Sequence, residues 1–365
     1  MSKAAALLVG VTLAATLTPI STAPAFASPP PAPISIAHVL AVTSALPPSI
    51  APTSAAPTCR EVAIPATMPL AGTQTVAGSL CWSGAAPAPT LQILLAGATY
   101  NRSYWDFPQQ PDTYSYVRRA VAAGYTTLAL DRPGTGASSH PAGALLTNAT
   151  EASAVHQVVN AARLGKLSPT PFTRVLLAGH SYGSVVAWYE AATYSDVDAL
   201  LVTGMAHEVQ PAAAIPVAAS LVPQASDPRF ASRPLDPTYL TTSPGTRQIF
   251  WHGDHDDPSV VAADEATKDT VTTAEIADTL VAQSASTTDA IAVPVLIAAG
   301  QQDLAYAIAL SHEAAHYPHS PCVATYLQPD AGHDLNLSPH APDWFTAALA
   351  WATNTLAPAG TPPHC

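Results

Sequence analysis

Charge is scarce in this chain. Only 10% of its 365 residues are Asp, Glu, Lys or Arg, against roughly 25% in an average soluble protein. The 13 basic residues are outnumbered by 25 acidic ones, for a formal net charge of −12. So few cations cannot neutralise a phosphate backbone, which argues against nucleic acid as a partner. Long apolar runs are also missing: past the N-terminal segment nothing approaches a membrane span. With 48% hydrophobic residues the chain is nonetheless able to offset its ordering entropy, so it is not disordered throughout. The length suits one large α/β domain with an insertion, or two domains of ordinary size.

The scarcity is most extreme at the start. Between Lys3 and Arg60 there is no acidic or basic residue. Lys3, an apolar run from Ala4 to Leu17, the break at Pro19 and the small residues around Ala25-Phe26-Ala27 follow the order of a secretory signal. The apolar stretch is short for a membrane anchor. Residues 1–27 are therefore assigned to a signal peptide and the protein to the secreted class. Residues 28–58, rich in Pro, Ala and Ser, read as an extended leader. The four cysteines agree with export, and an even number favours two disulfides. The expected pairs are Cys59 with Cys81, bracketing an opening hairpin, and Cys322 with Cys365, tying down the C-terminal tail.

From residue 60 onward short apolar runs alternate with helix-length amphipathic stretches. Strands are expected at Thr75 to Trp82, Leu91 to Ala96, Tyr125 to Asp131, Arg174 to Gly179, Ala199 to Gly204, Val293 to Ala299 and Cys322 to Leu327. Helices are expected at Tyr114 to Ala123, Thr150 to Leu164, Tyr182 to Tyr194, Tyr306 to Tyr317 and Pro342 to Thr355. The central strands are continuously apolar, as befits strands covered on both faces of a mostly parallel sheet. The stretch from His207 to about Ala290 breaks this rhythm, and its roughly 80 residues are too many for a plain connection, so 207–290 reads as an inserted cap. The core is then 59–206 with 291–365.

Gly179-His180-Ser181-Tyr182-Gly183 stands between an expected strand and an expected helix, the setting in which G-x-S-x-G lifts a serine hydroxyl clear of a sheet edge. A serine so placed needs a histidine to take its proton and a carboxylate to hold that histidine. Asp303 follows the strand ending at Ala299, where the sites of parallel sheets gather. His333 lies in the Gly-flanked loop after the last strand, so Ser181, Asp303 and His333 form the candidate catalytic set. Asp254, Asp256 and Asp257 are competing acids, but they lie in the insertion and also read as a solvated turn or a calcium ligand set. The oxyanion donors are assigned to the backbone N–H groups of Tyr182 and of Ala98, with Thr99 second to Ala98. Tyr100 and Trp105, with Tyr104 and Phe107, are expected to wall a substrate pocket or else to pack the loop onto the sheet.

Asp131-Arg132-Pro133-Gly134-Thr135-Gly136 with Ser138, the serine elbow, Gly300 to Asp303 and Gly332-His333 together resemble the α/β-hydrolase fold superfamily over residues 60–356. The stretch Thr99 to Phe107 is similar to an exported branch of esterase- and lipase-like serine hydrolases. Such proteins usually have His-Gly where this chain has Ala96-Gly97, although the oxyanion donor is a backbone group that the change does not remove. The resemblance implies an α/β-hydrolase fold and a Ser-Asp-His triad that cleaves carboxylic esters through an acyl-enzyme, without a cofactor. Lactones, thioesters or amides are alternative substrates of the same triad, and a binding module with a vestigial triad is the alternative from another class. The expected partner is a small-molecule ester, and the expected state is a monomer. His312-Glu313-Ala314-Ala315-His316 formally matches the H-E-x-x-H of zinc proteases, but Pro318 ends its helix and no third ligand follows at a recognised spacing, so no metal is assigned. Asn101, Asn148 and Asn336 stand in N-x-S/T sequons.

Overall fold

Eight strands build the central sheet. They are β1 (Thr58–Met68), β2 (Gly72–Trp82), β3 (Thr90–Leu95), β4 (Thr126–Leu130), β5 (Arg174–His180), β6 (Ala199–Thr203), and, after the insertion, β10 (Val295–Gly300) and β11 (Val323–Gln328). Their spatial order is β1-β2-β4-β3-β5-β6-β10-β11. β1 and β2 pair antiparallel, as do β2 and β4, and every later pair is parallel. The fold is an α/β-hydrolase fold. The structure is a computed structural model that describes residues 56–356 apart from 234, 252–255, 285, 304 and 307–309. The signal peptide and most of the leader lie outside the described residues.

Burial explains the sequence pattern. β4, β6 and β10 are buried along their whole length, whereas β1 and β11 at the edges carry exposed positions. Alternate residues of the inner strands feed two separate cores. Ile93, Leu177, Val202 and Ile297 face Val155 and Val158 of α3 (Asn148–Arg163) and Trp188 of α4 (Tyr182–Tyr194). Leu94, Ala178, Leu201 and Ala298 face Val117 of α2 (Tyr116–Ala122) and Trp344 and Phe345 of α9 (Ala341–Thr355). A four-residue helix, α1 (Pro111–Tyr114), precedes α2, so the single helix expected from Tyr114 is interrupted at Ser115, whose side chain caps α2.

The insertion has a small sheet of its own: β7 (Leu221–Pro223), β8 (Tyr239–Thr242) and β9 (Val271–Thr272), all antiparallel. Around it lie α5 (Pro211–Ser220), α6 (Pro258–Thr267) and α7 (Thr273–Ser284). The helix expected from Tyr306 to Tyr317 is much shorter. α8 covers only Leu310–Glu313 and passes into a 3-10 turn at Ala314–His316. Cys59 and Cys81 sit directly opposite each other in the β1–β2 ladder and form a disulfide. Cys322 is disulfide-bonded too, but Cys365 lies outside the described residues. No helix among the described residues is long and apolar enough to cross a membrane.

Candidate active site

β5 ends at His180 and α4 begins at Tyr182, so Ser181 makes the turn alone. Its backbone stands at φ +52°, ψ −122°, a region that costs a non-glycine residue about 1–3 kcal/mol. Two bonds hold it there: Ser181 N–H donates to Thr203 O and Ser184 N–H donates to Ser181 O, both at 2.8 Å. The flanking glycines are required by close approach. A Cβ on Gly179 would come within 2.4 Å of the Ser184 backbone, and one on Gly183 within 2.4 Å of Leu95 O. Ser181 itself remains partly accessible.

Asp303 follows the end of β10, and its Oδ2 accepts a hydrogen bond from His333 Nδ1 at 2.9 Å. The other carboxylate oxygen takes the Ala305 N–H at 3.0 Å. Burial pushes the His333 pKa down, but the charge of Asp303 and its hydrogen bond outweigh this and hold it above the ordinary histidine value. A Cβ placed on Gly204 would lie 3.0 Å from His333 Cε1, and Gly204 directly follows Thr203, whose carbonyl holds Ser181. The three residues expected to act together therefore stand on the loops at the carboxyl ends of β5, β10 and β11, and of them Asp303 and His333 are in direct contact.

The loop after β3 is gripped from two sides. Arg132 donates through Nε to Ala96 O at 2.8 Å and through Nη2 to Gly97 O at 3.1 Å. It is itself anchored by Glu151 at 2.7 Å and by Glu275 of the insertion at 2.5 Å. This gives the Asp131–Ser138 turn its purpose: Asp131 accepts the N–H groups of Arg102 and Ala137 and so shapes the turn that aims Arg132. On the other side Arg247 Nη1 donates to Thr99 Oγ1 and Asp269 N–H donates to Thr99 O, both at 2.8 Å. Thr99 is held at φ +61°. Among the described residues neither the Ala98 nor the Tyr182 N–H meets a backbone acceptor outside the helices and strands.

Tyr100 and Trp105 stand differently from pocket walls. Trp105 is fully buried between Tyr104 and Tyr116, with ring centroids at 5.5 and 5.3 Å. Tyr100 is buried beneath the Arg247 guanidinium, 4.1 Å from its ring, and its hydroxyl donates to Asp334. Both rings pack the loop onto the sheet, the second of the two roles open to them.

A buried polar group next to His333 was not foreseen from the sequence. Arg247 forms a two-pronged bond with Asp264, each contact at 2.9 Å, and His180 Nε2 lies 3.3 Å from Asp334 Oδ1 while its ring stacks on Tyr104 at 4.1 Å. Burial, reinforced by the charge of Asp264, lifts Asp334 to about 7. The only available signal was the rarity of arginine inside an apolar insertion, because a short local motif does not reveal partners 17 or 148 residues away.

The H-E-x-x-H segment does not present its two histidines together. His312 is exposed on the short α8, and Glu313 turns inward to His207 Nδ1 at 2.7 Å. Asp257 caps α6, accepting the Ser259 N–H, and Asp254 lies outside the described residues. Of the sequon residues, Asn148 and Asn336 are buried, so neither can carry a glycan in the folded chain.

The comparisons with known proteins agree with this fold. The profile described as "Alpha/beta hydrolase family" matches residues 92–348. A thermophilic esterase from Thermogutta terrifontis superposes with TM-score 0.52 at 20% identity, covering 79% of this chain and 97% of that one. The carboxylesterase CesB from Bacillus subtilis gives 0.53 at 18% identity, with 82% and 92% covered. The enol-lactonase from Burkholderia xenovorans LB400 gives 0.52 at 18%, with 78% and 98% covered. No curated protein matches the chain in sequence. At such identities these structures share the fold.

Proposed function

This chain belongs to the alpha/beta hydrolase family, and we propose that it is a secreted serine hydrolase that cleaves carboxylic esters through an acyl-enzyme. The observation that carries the reading is the combination of Ser181, strained at φ +52° on the strand-to-helix turn, with a His333 whose Nδ1 is engaged by Asp303 at 2.9 Å. His333 Nε2, the nitrogen left over, takes the Ser181 proton as Oγ attacks the ester carbonyl. Asp303 fixes the tautomer and supports the imidazolium. The oxyanion receives the N–H of Ala98, whose loop Arg132 and Arg247 fix in advance, and the N–H of Tyr182 at the start of α4, which the bonds around Ser181 fix. His333 then returns the proton to the leaving alcohol, and water repeats the cycle on the acyl-enzyme. Every proton has a named carrier, so the route calls on no cofactor.

The segment 207–290 acts as the cap of this site, since Arg247, Asp269 and Glu275 all come from it. Export is supported by the order of residues 1–27 and agrees with the Cys59–Cys81 disulfide. The test is a fluorophosphonate probe with chromogenic esters of several acyl lengths, alongside lactone, thioester and anilide counterparts. The native chain labels at Ser181 and prefers esters, and Ser181→Ala loses the label and all but about one part in 10⁴ or less of the activity. An unlabelled native chain, or an active Ser181→Ala, refutes the reading.

A further inference from the structure

We infer that His156, Glu190 and Asp196 form a binding site for a divalent transition-metal cation, with zinc the best match. The three supply ligand atoms that all lie within 4.8 Å of one another, close to the spread of about 4 Å that metal–ligand bonds of about 2 Å allow. His156 Nδ1 is 2.7 Å from Asp196 Oδ2. Glu190 is fully buried, and among the described residues neither of its carboxylate oxygens, nor Asp196 Oδ1, meets a donor. Two carboxyl groups thus converge on one imidazole with no N–H or hydroxyl donor from any neighbour on three of their oxygens, an arrangement that burial penalises unless a proton is shared between Glu190 and Asp196 or a cation takes its place.

The surroundings fit such a cation. The His156 ring is fixed by stacking on Tyr194 at 3.9 Å, and its Nε2 is 2.9 Å from Asn160 Nδ2. Once Nδ1 binds a metal, turning the Asn160 amide lets its oxygen take the Nε2 proton, the outer partner that metal-bound histidines use. Arg163 stands near, but its guanidinium is already paired with Asp198 at 2.7 Å and with Asp196 O. One nitrogen and two carboxylates suit zinc better than calcium or magnesium, which take oxygen.

The other histidine cluster lacks this fit. The rings of His207 and His316 stack at 4.0 Å with 2° between their planes, so no point lies in the plane of both. Glu190 is nine residues past Ser181 on α4, roughly 13 Å along the helix axis at 1.5 Å per residue. The cation would brace α3 against the far end of α4 without touching the reaction.

The experiment is calorimetric titration of the EDTA-stripped chain with zinc chloride, and an optical titration with cobalt chloride. One equivalent should bind, cobalt should give a visible d–d band, zinc near saturation should raise Tm by about 5 °C, and calcium and magnesium should give no heat. His156→Gln and Asp196→Asn should each weaken zinc about tenfold or more, whereas Glu313→Gln should not. Because His156 is partly exposed, its variant serves even if Asp196→Asn fails to fold. Absence of zinc heat and of the cobalt band, or loss of binding in Glu313→Gln with retention in His156→Gln, overturns the site.

Discussion

Arg247 donates Nη1–H to Thr99 Oγ1 at 2.8 Å, and through that bond the insertion between β6 and β10 holds the loop that follows β3. Thr99 sits at φ +61°, and its neighbour Ala98 carries one of the two N–H groups expected to meet the oxyanion. The same guanidinium covers the Tyr100 ring at 4.1 Å and grips Asp264 with two bonds. A segment that looks like a lid in sequence thus acts as part of the frame of the site.

Arg247→Lys should separate this framing role from simple charge. An ammonium keeps the charge opposite Asp264 but cannot reproduce a planar fork that also reaches Thr99. The expected result is a kcat lowered by about 10- to 100-fold with little change in KM, as for a misplacement near 1 Å. The rate of fluorophosphonate labelling should fall in step. Labelling at the native rate would detach Arg247 from the oxyanion loop.

The inner strands were readable because their burial on both faces leaves uninterrupted apolar runs, and the placing of Ser181, Asp303 and His333 on loops after strands because a glycine or strand end close to each marks a sheet edge. β1 was visible only as half of a hairpin, since its exposed edge residues break the apolar pattern. β7, β8 and β9 have two to four residues each, too few to show any periodicity. The helix after Tyr306 failed for another reason: Glu313 is drawn inward by His207, a residue 106 positions away, and a tertiary bond of that kind overrides local helical spacing. The roles of Tyr100, Arg132 and Arg247 are likewise long-range hydrogen bonds that no window of sequence contains.

His333 should set the acid limb of the activity profile. It accepts a proton only when neutral, and Asp303 holds its pKa above the ordinary 6.5 despite burial. The rate should therefore fall, with decreasing pH, at a midpoint above 6.5. Asp303→Asn removes the charge and leaves a single carbonyl oxygen for two donors, His333 Nδ1 and the Ala305 N–H, so the midpoint should move downward while kcat drops by about 10³- to 10⁴-fold. Asp334→Asn should shift the midpoint in the same direction by less, because its charge is a smaller contribution. Profiles of kcat/KM report these free-enzyme values, and an unmoved acid limb in Asp303→Asn would break the proposed pairing.

Two carboxyl groups share Arg132. Burial, partly relieved by Arg132 and reinforced by Glu275, raises Glu151 to about 8, so the folded chain holds a proton there that the unfolded chain has released. Stability from this proton is complete below about pH 4.5 and is lost as pH rises towards 8, with a slope of at most about 1.4 kcal/mol per pH unit. Glu275→Gln removes the competing charge and lets Glu151 ionise more readily. The gap between Tm at pH 5 and at pH 8 should therefore narrow in that variant, and an equal or wider gap would assign the proton elsewhere.

Gly300 joins the acid to the base. It ends β10, three residues before Asp303, and a Cβ there would stand 2.0 Å from Gly332 O and 2.2 Å from Ala331 O. Both are backbone atoms of the loop that carries His333, so the overlap cannot be relieved by turning a side chain. The loop is also bonded to the Asp303 segment through Gln302 N–H to Ala331 O at 2.8 Å. Gly300→Ala must therefore push the two segments apart. The cost in stability should be about 1–3 kcal/mol, as for other overpacked sites, while the loss of activity should exceed about 10²-fold because the Asp303–His333 bond is stretched. Thermal melting and ester turnover measured on one preparation check both. A variant that melts early yet keeps full turnover would show that the His333 loop is positioned by contacts other than this backbone approach.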